Sequence, residues 1–154
     1  GDAGGTEMAR RGELNIGQLW RTEFGRDACL VGFGTHTGTV AAATDWDGPM
    51  EVKAVRPSLA GSHERLFHDC AVANFILPLR GPLPADTLRG LSLERLERAI
   101  GVIYRPETGR EGHYFHALVP RQFDEYIWLD RTRAVTPLPT ETIEGLPDTY
   151  PFGL

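Results

Sequence analysis

The sequence is poor in the residues that mark several functional classes. It has two cysteines, Cys29 and Cys70, in 154 residues, too few for a disulfide framework and not spaced as a Cys-x-x-Cys metal or redox motif. Cys29 falls in the apolar run Ala28-Cys29-Leu30-Val31, where a small buried thiol packs well, and both cysteines read as reduced and structural. No apolar run approaches the roughly 18 residues that span a bilayer, and Gly1 to Gly5 lacks the charged start and apolar stretch of a signal peptide. A cytoplasmic chain without a membrane partner is the expectation. Lys and Arg number 16 against 21 Asp and Glu, a net charge of -5, and the basic residues form no stripe interleaved with aromatics, so nucleic acid is not an expected partner. Serine is also scarce, with three residues. Ser58, Ser62 and Ser92 all lack the flanking glycines of a G-x-S-x-G nucleophile elbow. His63, His68 and Cys70, like His113 and His116, miss the spacings that bind zinc, so no metal is expected, and His63 and His68 read as a polar helix face.

What is present is an ordinary globular balance, 41% hydrophobic and 24% charged, at the size of one domain or one lobe of a larger one. Asn15 to Phe24 reads as a helix, with Ile16, Leu19, Trp20 and Phe24 at helical spacing, Asn15 as N-cap and Gly25 as C-cap. Ala28 to Phe33 is a strand-length apolar run, and a helix followed by an unbroken apolar strand points to a sheet covered on both faces. Ser62 caps a short helix through His68 with Leu66 inward, and Ser92 to Arg98 reads as a second one with Leu93 and Leu96 on one face. Ala99 to Tyr104, stopped by Pro106, and Tyr126 to Asp130 are the remaining predicted strands. The fold class is therefore α/β, a partial sheet of about three or four strands with flanking helices, one lobe of a larger domain over residues 1–139. Pro78 to Pro84 is the nearest thing to a linker, and an irregular tail follows over 140–154. A sheet taken from a larger one exposes an edge, through which self-association is expected.

The best local candidate for binding is the glycine-rich stretch Gly32-Phe33-Gly34-Thr35-His36-Thr37-Gly38-Thr39-Val40, read as a turn after a buried strand. In open α/β sheets ligands sit beyond the carboxyl ends of strands. Thr35, His36 and Thr37 could contact a polar substrate there, and backbone N–H groups could hold an anion. The spacing is neither the dinucleotide fingerprint nor a P-loop, and no cofactor is expected; Thr37-Gly38-Thr39 is similar to a phosphoribosyl pyrophosphate loop, although the acidic pair that precedes such loops is absent. The alternative is a tight turn with glycines chosen for positive φ. A second candidate is the connector Glu107 to His116, in which His113 and Tyr114 stand among titratable and aromatic residues; the alternative is a solvated loop with its histidines bonded locally. Glu7 is either a supporting acid near a site or a charged start to the chain.

These pieces occur in a particular order. Gly1-Asp2-Ala3, Thr6-Glu7-Met8, Asn15-Ile16-Gly17-Gln18-Leu19, the glycine-rich stretch, Ser62-His63-Glu64, Arg98 to Thr108, His113-Tyr114-Phe115-His116, Gln122-Phe123-Asp124 and Asp130 to Val135 together resemble the last third of an erythromycin-esterase-like hydrolase. Gly109 and Gly112 depart from that pattern, standing where larger or polar residues are more common. The resemblance implies an α/β hydrolase that opens a macrolide lactone or similar ester with water activated by a histidine general base, in a response to macrolide antibiotics. It further implies that the Gly-Glu…Thr-His-Gly and His-Asn…His motifs supplying those groups lie upstream, that the chain's partners are a small ester or lactone and the N-terminal remainder of the same enzyme, and that this segment is inactive alone. A non-catalytic module for a small ligand or phosphate is the other expectation.

Overall fold

A computed structural model describes residues 1–108 and 112–136. Helix α1 (Ile16–Phe24) keeps its expected limits. Asn15 Oδ1 accepts the Gln18 N–H at 2.9 Å, and Gly25 ends the helix at φ 52°, a conformation that costs glycine little. There follow β1 (Val31–Ala42), β2 (Glu51–Val55), α2 (His63–Asp69), β3 (Asn74–Pro78), α3 (Ala85–Leu91), β4 (Arg95–Arg98), β5 (Tyr114–Ala117), α4 (Val119–Gln122) and β6 (Glu125–Thr132). Four strands form a mixed sheet in the order β2-β1-β6-β3, with β1 and β6 parallel and both outer strands antiparallel, and β4 pairs with β5 in a separate ribbon. The α/β class holds.

The core lies on one face of the larger sheet. Tyr126 and Trp128, two apart on β6 and so on the same side, are fully buried against Phe67 of α2, with Phe123, Val119, Leu79 and Leu91 completing the cluster. Gly32 and Gly34 are their register partners on β1. A Cβ at Gly32 would press on the Phe123 and Tyr126 rings, and one at Gly34 would occupy the place of the Tyr126 hydroxyl. These two glycines make room for aromatic rings rather than turns. Only Gly38, at φ 125° with the Thr132 backbone against it, needs the freedom of glycine within the strand.

Several expectations fail for reasons visible in the packing. The glycine-rich stretch is the interior of the twelve-residue β1 and not a turn: β6 pairs along it from Val31 to Gly38, and β2 joins on the other side from Gly38. Ser92 to Arg98 is not a helix. Ser92 closes α3 by donating its N–H to the Leu88 carbonyl, and β4 starts three residues later, with Glu97 and Arg98 buried and Leu93 exposed. Ala99 to Tyr104 is not a strand: its one bridge, Ala43↔Ile103, lies just past the end of β1, and its β-branched Val102 faces outward. Cys29 is exposed, two residues ahead of β1, and both cysteines are free. His63 is buried, not part of a polar helix face. Among the described residues the sheet is covered on one face only: Phe33 on β1 (68% exposed), Ile127 on β6 and Ile76 on β3 (65% exposed) stand in one register row on the other side. The apolar stripe of α1, Ile16, Leu19, Trp20 and Phe24, is likewise exposed. Strands β2, β3 and β5 had no clear pattern in sequence, and the expected tail over 140–154 lies outside the described residues.

Candidate functional site

Arg98, the last residue of β4, organises the most site-like region. Beyond the pair Gly38↔Val55, β1 has lost β2 as a neighbour, and the guanidinium takes over: Nη2 donates to the carbonyls of Thr35 (2.5 Å) and His36 (3.1 Å), Nη1 to that of Arg56 (2.6 Å). Its carbon stands 5.7 Å from the Tyr114 ring centre, within cation–π range. Arg98 is buried, so these carbonyls repay the loss of water around the charge. The cleft beside it has a volume of about 350 Å³ and is lined by Phe33, Thr35, Thr39, Arg98, Ile100 and Leu129. Apolar walls with a few hydroxyls and two arginines, Arg98 and Arg133, suit a largely apolar ligand with polar substituents.

The sequence-predicted residues divide between two faces. Thr35 faces the cleft, and its hydroxyl donates to the Thr37 carbonyl at 2.9 Å. His36, one residue on, points to the other side of the sheet, as the two-residue period requires. There its Nδ1 lies 2.7 Å from Ser58 Oγ, and its ring stacks on His68 at 3.6 Å and 7°. His68 Nδ1 in turn lies 2.6 Å from Asp130 Oδ1. Burial first, then the nearby His68, lowers the pKa of His36. Tyr114 reaches the Arg98 side, accepting the Leu59 N–H at 3.2 Å, and burial pushes its phenol up. His113 accepts the Arg105 N–H at 3.0 Å against Tyr104, a local role. Glu7 accepts from Arg11 (2.9 Å) and from the His116 N–H (3.2 Å), which tie the N-terminal turn to β5; its carboxyl is lowered, mainly by Arg11. Thr35, His36 and Tyr114 thus meet around Arg98, the first two through their backbone carbonyls and the third through its ring face, whereas Thr37 only supplies a carbonyl and His113 and Glu7 lie apart.

Sequence reasoning missed the groups that define this region. Arg98 sits in an expected surface helix, and the His68–Asp130 pair joins residues 62 apart. A buried acid pair was also missed. Glu64 Oε1 accepts the Arg98 N–H at 2.8 Å, burial raising its pKa, and Glu97 is pushed up to about 8 by burial and by Glu64. Beside them His63 is brought down to about 4 by burial; its Nε2, 3.2 Å from the Ala117 carbonyl, carries the proton. No local signal marked Glu97 and Arg98, which stand in a run of alternating charges. Among the described residues no three His, Cys, Asp or Glu are placed to hold a metal ion, and no helix is long and apolar enough to cross a membrane.

Comparison with known proteins agrees with this architecture. A model described as erythromycin esterase matches residues 1–132. The chain is similar in structure to a succinoglycan biosynthesis protein, at 17% identity and TM-score 0.64 over 83% of this chain and 30% of that one. It is also similar to a Bacillus cereus protein, at 15% identity and TM-score 0.65 over 78% of this chain and 28% of that one. At these identities the likeness is one of fold. This chain spans less than a third of the length of either solved structure.

Proposed function

The chain belongs to the erythromycin esterase family, and from that membership we propose that it acts as the C-terminal lobe of an ester- or lactone-hydrolysing enzyme, forming one wall of the substrate cleft. The observation that carries this reading is the 350 Å³ cleft held open by Arg98, with hydroxyls from Thr35 and Thr39 set among Phe33, Ile100 and Leu129. A macrolide, apolar over most of its surface and studded with hydroxyls, is the substrate class that such a wall fits, which connects the protein to macrolide response. The water-activating histidine comes from the remainder of the same enzyme, and the 154-residue chain is inactive alone. Its two exposed apolar surfaces, the row Phe33, Ile127 and Ile76 and the stripe on α1, are where that remainder packs, since exposed patches of this kind mark interfaces.

The test compares the isolated chain with the product of the full reading frame that contains it, on erythromycin and on a p-nitrophenyl ester. Turnover is expected only in the second. Hydrolysis by the isolated chain that disappears in His36→Ala would overturn the proposal. A non-catalytic ligand-binding module is the second reading, favoured by the cleft itself; saturable macrolide binding to the isolated chain, with no turnover by the product of the full frame, would establish it instead.

A further inference from the structure

We propose that His36 and His68 form a proton-operated latch that fastens the Arg56–Leu59 segment to β1 and, through it, holds Arg98 in place. The latch is built at His36 Nδ1. This nitrogen lies 3.4 Å from the Ser58 backbone nitrogen, whose N–H points to it, and 2.7 Å from Ser58 Oγ. A backbone N–H can only donate, so Nδ1 acts as an acceptor and the imidazole is neutral, with its proton on Nε2. Protonation at Nδ1 turns the hydroxyl contact round, Ser58 Oγ then accepting, and removes the acceptor of the Ser58 N–H, which is left facing another donor.

The surroundings set the direction. His68 and Arg65 from α2, Asp130 from β6 and Arg98 from β4 are the charged or titratable groups that act on His36. His68, Arg65 and Arg98 oppose a charge there, and Asp130 favours one while also holding the His68 ring at 2.6 Å. A charge on His36 would sit 3.6 Å from the parallel His68 ring and face Arg65 and Arg98, neighbours that oppose it. His68 is anchored by Asp130, so His36 is the ring that yields. The fold passes this to the cleft. Arg98 donates to the carbonyls of Arg56, at the start of the latched segment, and of His36 itself. Loss of the Ser58 N–H bond in acid therefore loosens two of the three carbonyls that fix the arginine. The consequence for substrate rests on the reading of the cleft given above; the latch itself does not.

The test is hydrogen exchange in the isotopically labelled 154-residue chain between pH 7.5 and pH 5, read as protection factors so that the chemical rate is divided out. Protection at the Ser58 amide is expected to fall at least tenfold more than at the Trp128 amide, which reports the core. His36→Asn places an amide oxygen where Nδ1 stood and cannot titrate, so the extra loss at Ser58 disappears. His68→Gln removes the opposing charge and moves the loss to higher pH. Equal pH dependence at Ser58 and Trp128 in the wild type, or an unchanged step in both variants, overturns the latch. Cleft function is measured separately, as macrolide binding at pH 7.5, and its failure leaves the exchange result standing.

Discussion

The two faces of the central sheet are made from the same strands and have opposite fates. On one, Tyr126 and Trp128 are wholly excluded from water beneath α2 and α4; on the other, Phe33, Ile76 and Leu129 project into solvent. An antiparallel sheet with one wet side normally alternates apolar and polar residues, whereas strands buried on both sides read as continuous apolar runs. Here β1 begins Val31-Gly32-Phe33 and β6 reads Tyr126-Ile127-Trp128-Leu129, which is the second pattern with only one cover in place. The open face is therefore composed as an interior.

The largest test of that contrast is Trp128→Ala, which removes a ring packed on Phe67 and Phe75 and should cost about 4 kcal/mol in urea unfolding. Next is Asp124→Asn. The buried carboxylate accepts from Arg21 at 2.5 Å, from the Leu30 N–H at 2.6 Å and from Arg80, and so ties α1 and the segment after β3 to the covered side. Burial raises its pKa, but these donors outweigh that and leave it lowered. The stabilisation is thus present above the ordinary carboxylate range and fades as pH falls through it; the variant should lose about 3 kcal/mol at pH 7. A smaller effect, of opposite sign, is expected at Glu97. Its folded pKa of about 8 lies above the unfolded value, so its penalty grows as pH rises from the ordinary carboxylate range towards 8. Glu97→Gln should therefore be more stable than wild type by about 2 kcal/mol at pH 8, with the gap closing towards pH 4.5. The smallest change is Phe33→Asp on the open face, expected within about 0.5 kcal/mol of wild type while lowering the binding of a hydrophobic dye. A cost for Phe33→Asp comparable to that of Trp128→Ala would erase the distinction between the faces.

Local signals carried part of this structure, and contacts between distant segments carried the rest. Asn15 and Ser62 were readable as caps because a cap is a matter of three residues. The strand at Tyr126 was readable from its β-branched and aromatic composition, and the α/β class from order alone. The glycine-rich stretch was misread because Gly32 and Gly34 serve rings contributed by residues some ninety positions later. The Ser92 to Arg98 stretch was misread because helical spacing over seven residues does not exclude a strand with buried Glu97 and Arg98. At the site, Thr35 and His36 belonged to one candidate in sequence and Tyr114 to another; Arg98, which gathers them, had a helix-surface appearance, and the stacked histidines depend on a meeting of β1 with α2.

The parallel pairing of β1 with β6 has a consequence for how the chain is made. Val31 lies beside Glu125, and the register runs on to Gly38 beside Thr132, so each pair closes a loop of more than ninety residues. During synthesis the N-terminal strand must wait, with Phe33 and its neighbours uncovered, until nearly the whole described chain has left the ribosome. Such distant pairing is slow compared with a helix or a hairpin, and the β1–β2 hairpin is the only part of the sheet that can form early on the nascent chain. Synonymous codon changes that slow translation between Val55 and Glu125 would lengthen that wait and lower the yield of folded protein, leaving the finished molecule itself unchanged.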